Sequence, residues 1–374
     1  MLRYLTAGES HGKAVIAILE GIVSGLKIDT NVIDNDLKKR MQGYGRGDRM
    51  KIEKDVVQIL SGLKDGSTLG SPITFMVLNA DSSIDTLPSL SCPRPGHADL
   101  AGALKYNQSD LRTVLERSSA RETVARVCVG GLSKILLAEF GIDILSYVTL
   151  IGGVDSHTKN LSFDELRNLA EDSPVRCPDE AATKLMCEEI DSAKDSGDTI
   201  GGVFEVIAKN VPPGLGSFVH WDRKLDANLA QALMSIQAIK GVGVGLGVGV
   251  AKKRGSKCHD EINYQKDKGF TRKTNNAGGI EAGVSNGEDI VLHAYMKPIA
   301  TLMEPLNSVD IKTKEKKRAE VQRADVCAVP AAGIVGEAVV AFVLANAMCE
   351  KFGGDSLAEM KRNYGGYIEQ VRNY

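Results

Sequence analysis

The run Arg117-Ser118-Ser119-Ala120-Arg121-Glu122-Thr123 puts two guanidinium groups and two hydroxyls where a long helix should begin. Apolar residues follow at Val124, Val127, Cys128, Leu132, Ile135 and Leu136, and Phe140-Gly141 supplies a stop, so a helix over 120–140 is expected. Ser119 and Glu122 have capping-box spacing. The N–H groups at a helix start favour an acidic side chain by about 0.3–1 kcal/mol, and cations there are unfavourable. An arriving anion would reverse that balance, so the segment is a candidate phosphate site; the alternative is two solvated arginines on a loop.

Two of the six histidines lie in glycine-bearing turns, His11 in Gly8-Glu9-Ser10-His11-Gly12 and His97 in Arg94-Pro95-Gly96-His97-Ala98-Asp99. Histidine suits proton transfer near neutral pH because its ordinary pKa is about 6.5. A second basic group, Arg40, Arg46 and Arg49, surrounds Gly43-Tyr44-Gly45 and Gly47, a pattern consistent with phosphate or carboxylate capture. Lys297–Thr301 closes a strand-like run, and Arg323-Ala324-Asp325 precedes a long apolar helix. Residues 7–14 nearly mimic a phosphate-binding P-loop but fail at Ala7 and Ala14. The alternating glycine run 241–250 fits no dinucleotide-binding register. There is no G-x-S-x-G elbow and no clustered Cys/His ligand set, so serine hydrolase and metal-enzyme readings lack support. What remains is arginine-rich and poor in nucleophiles. Such a site suits a multiply anionic substrate, proton movement and leaving-group stabilisation.

The 374 residues carry 43% hydrophobic and 25% charged residues, ordinary for a globular protein. A formal net charge of −2 and 5% aromatic content disfavour a nucleic-acid binder, although the basic stretch 252–273 keeps that reading open. Seven cysteines without a C-x-x-C pair point to a reducing compartment. No signal peptide and no apolar run of about 18 residues is read, so a cytoplasmic protein away from membranes is expected.

Strands are expected at 3–6, 15–22, 56–60, 73–78, 142–151, 202–208 and 289–296. Helices are expected at 30–41, 98–106, 120–140, 163–171, 179–194, 225–239 and 328–351. Adjacent strands without intervening helices favour an α+β layered sandwich over a doubly wound sheet. No linker divides the chain, so one domain over 1–374 is expected, with mobile loops near 43–50, 252–273 and 307–322.

Seven motifs, taken together and in order, resemble the chorismate synthase family: Gly8–Gly12, Arg94–Asp99, Arg117–Thr123, Ser235–Ala238, Ala277–Gly279, Lys297–Thr301 and Arg323–Cys327. The resemblance runs from Arg3 to about Lys351 and implies a β-α-β sandwich with antiparallel sheets layered on helices. It implies an anti 1,4-elimination of phosphate from 5-enolpyruvylshikimate 3-phosphate, giving chorismate in the shikimate pathway to the aromatic amino acids. Reduced FMN is implied as cofactor without net redox change, with no reductase segment in the chain and hence an external reductant, NADPH acting indirectly. A homotetramer is implied as well.

By the same resemblance His11 is the general acid toward the departing phosphate, His97 stabilises the reduced flavin, and Asp325 assists removal of the substrate proton. FMN is assigned to Arg117, Ser118, Ser119, Gln237, Ala238, Ala282, Lys297, Pro298, Ile299, Ala300, Thr301 and Arg323. Arg40, Arg46, Arg49, Arg94 and Arg121 are assigned to the substrate anions, the first two also to a nicotinamide dinucleotide phosphate. The chain departs from the family pattern at Ala282, Ala300 and Asp48, where glycine, proline and glycine are usual. A relative that binds flavin or anions without catalysis is the alternative, disfavoured by intact His11, His97 and Asp325.

Overall fold

Two antiparallel sheets with two long helices between them frame the chain, whose computed structural model describes residues 1–47, 53–158, 161–266, 269–322 and 324–374. The first sheet has the spatial order Arg3–Ala7, Ala14–Glu20, Ile73–Leu78, Gln58–Ile59. Its period-two pattern sends Val15, Ala17, Leu19, Ile73, Phe75 and Val77 to the buried face. The second sheet runs Ile239–Val244, Ile290–Met296, Gly202–Lys209, Asp143–Ile151, Val154–Asp155. Helix Thr123–Ala138 packs on the first sheet and helix Val329–Phe352 on the second, and the two helices pack on each other. The result is the α+β, β-α-β layering expected from the sequence.

The contact between those helices depends on missing side chains. A Cβ built on Gly130 would stand 2.3 Å from Ala338 Cα, and one on Gly336 would stand 2.6 Å from the Phe204 ring. Glycine therefore lets helix meet helix and helix meet sheet at backbone distance. One continuous apolar cluster extends from Leu2 to Met360. Helix Val329–Phe352, with a mean hydropathy of 1.9 in its most apolar window, is long and apolar enough to cross a membrane. The sequence reading had seen no such run. In the fold 78% of that window is buried, with Glu337 as a satisfied charge, so the helix is the core of the sandwich.

The helix expected over 120–140 is divided. Leu111–Ser118 is a separate helix capped by Asp110, Ala120–Glu122 is a 3₁₀ turn, and the long helix begins only at Thr123. Arg117 thus lies in the last turn of a helix, where the negative dipole end favours a cation. The premise that it opposes a helix start does not hold. Ser119 does accept from the Arg121 N–H, but Glu122 does not return a capping bond; its carboxylate turns to Thr6, Arg126 and Gln237.

Helix Leu357–Arg372 was not anticipated, and the one expected to reach 239 ends at Met234. The glycine run remains a strand only to Val244. Gly245 turns at φ +57°, because a Cβ there would meet Asn276 O at 2.1 Å, and 247–252 is a 3₁₀ helix. The two charged stretches expected as loops contain hairpins, Ile262–Gln265 with Gly269–Arg272 and Asn307–Val309 with Lys316–Arg318.

Candidate active site

His11 lies between the first two strands, and helix Leu111–Ser118 brings Glu116 beneath it. Both carboxylate oxygens lie 3.0 Å from His11 Nδ1, and Oε2 also accepts the His11 backbone N–H at 2.8 Å. The Glu116 side chain is 1% exposed against 19% for His11. Burial alone would raise the Glu116 pKa, but hydrogen bonds from His11 and the charges of His11 and Arg112 outweigh it and hold it below the usual range. A carboxylate fixed in its charged form orients the ring. The other nitrogen, Nε2, faces Asp81 at 3.9 Å. The same helix end carries Arg117, which donates to Gly8 O (2.8 Å), Thr6 O and Thr6 Oγ1 (both 2.9 Å), tying the first strand to the helix. Ser119 Oγ reaches Ser10 Oγ at 3.2 Å, and Ser118 Oγ donates to Leu115 O at 3.4 Å.

A buried charge group connects to this turn. Arg121 donates to Asp55 Oδ1 (2.6 Å) and Asn79 Oδ1 (2.7 Å), while Asn79 Nδ2 holds Gly12 O (2.7 Å) and Glu9 O (3.1 Å). Arg40 meets the other Asp55 oxygen at 3.5 Å, Thr123 Oγ1 at 2.9 Å and Ala120 O at 3.0 Å. At 4% exposure each, Arg40 and Arg121 present guanidinium forks that the protein already engages. Burial pulls Arg40 down to about 10; Asp55 opposes this, and the positive charges of Arg46 and Arg121 add to it. Arg46 pairs with Asp325 Oδ2 at 2.8 Å, and Asp325 Oδ1 accepts the Gly47 N–H at 2.7 Å. Arg40 also feels the Asp325 charge, which places these residues in one electrostatic neighbourhood.

His97 belongs to a second group. Asp99 Oδ1 lies 2.5 Å from His97 Nδ1, and Asp99 also receives Arg94 Nε (2.8 Å) and Nη2 (3.0 Å). Burial would raise Asp99, but the hydrogen bonds and charges of His97 and Arg94 drive it far below the carboxylate range. Arg94 Nη1 continues to Thr301 Oγ1 at 2.7 Å, joining this turn to the 297–301 segment. Beside it lies a cavity of about 390 Å³ lined by Arg94, Gly96, His97, Leu100, Leu104 and Ser308.

Gln237 lies between the groups. Its Nε2 donates to Glu122 Oε2 at 3.4 Å, whereas its Oε1 is buried with no hydrogen-bond partner among the described residues. Ala238 follows at φ +69° and accepts the Lys297 N–H on its carbonyl at 2.9 Å. Burial, and secondarily the charge of Lys240, lowers the Lys297 pKa. Pro298 O takes Lys297 Nζ at 3.3 Å, Ile299 O takes Thr199 Oγ1 at 2.7 Å, and Ala300 faces Gly96. A buried acceptor without a partner among the described residues, followed by a turn at positive φ next to Lys297, fits a group that donates an N–H, such as the imide of a flavin.

The structure thus links His11, Arg117 and Arg121, joins Asp325 to Arg46, and joins His97 and Arg94 to Thr301. Ala282 sits apart, in the turn between Ile280–Glu281 and Val284–Ser285, at φ +53° with its carbonyl on Lys224 Nζ. Asp48, Arg49 and Arg323 lie outside the described residues. Sequence reasoning missed Glu116, Asp55 and Asn79, and took Glu122 for a capping residue only. Glu116 adjoins a motif already singled out, but nothing in the sequence pairs it with a residue 105 positions away.

A family model described as chorismate synthase matches residues 2–349. Among curated relatives, the chorismate synthase of Symbiobacterium thermophilum is 54% identical over 388 residues, covering 99% of both chains. That of Geobacter sulfurreducens is 53% identical over 393 residues, and that of Desulforamulus reducens 55% over 385, each covering 100% of both chains. A solved structure, a crystal structure of chorismate synthase, superimposes with a TM-score of 0.83 at 42% identity, covering 100% of this chain and 99% of that one. The present chain, built on the same sandwich and carrying these histidine and arginine groups, belongs to the chorismate synthase family of lyases.

Proposed function

We propose that the chain eliminates phosphate from 5-enolpyruvylshikimate 3-phosphate to give chorismate, with reduced FMN as cofactor. The observation that carries this reading is the His11–Glu116 pair, a partly exposed imidazole on a buried carboxylate held in its charged form. In that arrangement Glu116 orients the ring, and Nε2, on the side of Asp81, is the atom that delivers a proton to a departing phosphate oxygen. Reduced FMN, when bound, supplies electron density for the elimination without net redox change.

Gln237 Oε1, Ser118, Ser119, Arg117, Thr301 and the turn at Ala238 are the groups that would hold it, with Pro298, Ile299, Ala300 and Lys297 along one side. Ala282 and Arg323 complete the assignment by family resemblance alone. His97, oriented by Asp99, stabilises negative charge on the ring, and Arg94 holds both in place. Asp325 assists removal of the substrate proton at a carboxylate kept in position by Arg46 and the Gly47 N–H. Arg46 and Arg94, and by family resemblance alone Arg49, are assigned to the substrate anions, and Arg40 and Arg121 engage one by exchanging Asp55 for it. Arg40 and Arg46 are also where a nicotinamide dinucleotide phosphate would bind.

In this reading the chain is one domain, cytoplasmic, assembled as a homotetramer, and dependent on an external source of reduced flavin. The test is anaerobic turnover of the enolpyruvyl substrate with chemically reduced FMN, followed as chorismate absorbance. Turnover is expected only with the reduced flavin. Full activity in flavin-free buffer overturns the flavin assignment; no chorismate under any flavin condition overturns the activity.

A further inference from the structure

We propose that the chain has a second oxyanion site, for a carboxylate or phosphate, in a cleft that shares no residue with the candidate active site. The cleft has a volume of about 900 Å³ and lies between helix Thr30–Met41, the end of helix Thr123–Ala138, the start of strand Asp143–Ile151 and helix Phe163–Asp172. Its polar wall holds Lys39, Lys134, Arg167, Arg176, Glu171 and Glu337. Ile135, Leu137 and Ile144 supply an apolar floor.

The carboxylates of this cleft already have partners. Lys134 binds Asp36 Oδ2 (2.7 Å) and Glu337 Oε2 (2.6 Å), Lys39 binds Glu171, Lys361 binds Glu139, and Arg167 pairs with Asp143 at 2.6 Å. Asp29 caps its helix by accepting the Asn31 N–H at 3.0 Å. The unmet capacity lies on the donor side. Arg167 Nε and Arg176 Nε are buried with no hydrogen-bond partner among the described residues. Arg167 Nη2 is committed to the Asp143 carboxylate at 2.6 Å.

Buried guanidinium N–H groups are costly to leave without acceptors, so the cleft calls for a ligand that accepts. The backbone supports the same conclusion. Arg176 is held at φ +57°, a conformation unfavourable for a side chain of this kind, by bonds from its N–H to Ser173 O (3.0 Å) and from the Val148 N–H to its own carbonyl (2.9 Å). Strain is thereby maintained at the residue that sends a guanidinium into the cleft, with Nη2 anchored on Ser146 O at 2.8 Å. With Nη2 on Ser146 O and, at 3.4 Å, on Glu337 Oε1, the Arg176 Nε–H is the donor that remains for an oxyanion.

Hydrogen exchange over residues 163–177 tests this, with saturating inorganic phosphate and saturating succinate as separate probes. At a probe concentration about ten times Kd, exchange through local opening should slow about tenfold. Slowing with phosphate alone assigns the phosphate chemistry, with succinate alone the carboxylate chemistry, and with both the shared one. Each effect must vanish in Arg167→Gln, whose side chain is one-third exposed and whose loss the fold should tolerate. Arg176→Gln is the second variant, although its contact with Glu337 makes misfolding the larger risk. No slowing with either probe overturns the proposal, as does slowing that persists in Arg167→Gln. Because no candidate active-site residue is involved, this outcome is independent of turnover.

Discussion

Two histidines in the molecule face a glutamate at close range, and their surroundings differ. His11 and Glu116 meet where a strand end abuts a helix; His293 and Glu205 stand opposite each other on neighbouring strands, with Tyr147 as the next partner in register. Glu116 receives a backbone N–H and a ring nitrogen, and its pKa falls. Glu205 receives Tyr147 and the His293 charge, Nδ1 lying 3.2 Å away, but burial prevails and its pKa rises. The difference lies in the backbone. In mid-sheet the N–H groups are committed to the ladder, whereas a turn can aim one at a carboxylate. His293 Nε2 also donates to Gly245 O at 2.8 Å, so both its nitrogens serve the fold. The same residue pair is a candidate proton-transfer unit in one place and a sheet fastening in the other.

The largest expected effect breaks the comparison at the histidines. His11→Ala should lower kcat by about 10²–10⁴-fold with the fold intact. His293→Ala should act on stability, by about 1–3 kcal/mol, because Glu205 and Gly245 O lose a buried partner. Chorismate absorbance and urea unfolding measured on both variants decide it; a loss of kcat in His293→Ala matching that in His11→Ala would erase the distinction.

The second test asks the carboxylates for opposite pH signs. Glu116 has a folded pKa below its unfolded value of about 4.3, so its contribution is present above that pH and lost as pH falls through the folded value. Glu205 is raised, so its contribution is fully present below about 4.3 and lost as pH rises through the folded value. Glu116→Gln should therefore flatten the loss of stability toward acid, and Glu205→Gln should remove a loss on the way to neutral pH. Urea midpoints collected across this range with the same slope in both variants would contradict the assignment.

The smallest effect carries the comparison to the backbone. Ala238 and Ala282 both sit at positive φ, the first at the candidate flavin turn and the second on a hairpin. Ala282→Gly should raise stability by about 1 kcal/mol, since alanine is strained in the left-handed region. A thermal midpoint that is unchanged or lowered would show that the hairpin does not store that strain.

Much of the frame was legible because apolar periodicity is local. The strand at Ile73–Leu78 and the helix at Thr30–Met41 fall where their patterns put them. The short helix Leu111–Ser118 was not, although Leu111, Val114 and Leu115 have helical spacing, because eight residues carry little periodic signal and their burial depends on Leu90 and Ala103 arriving from elsewhere. The glycine run misled for a related reason. Its period of two describes a strand, but the close approach of Asn276 bends the chain at Gly245. At the site, His11, His97 and Asp325 could be named from motifs, whereas Glu116, Asp99 and Arg46 as their partners came from the fold.

The sequence by itself determined the family, the layered α+β class and the residue types able to move protons and bind anions, because these reside in local spacing and motif order. Only the tertiary structure decided which charges meet. It placed Arg117 at a helix end that welcomes it and engaged Arg40 and Arg121 with Asp55. It left Gln237 Oε1 without a partner among the described residues and gave the two His–Glu pairs opposite electrostatics. Such outcomes depend on burial and on donors supplied from distant parts of the chain, which no local pattern encodes.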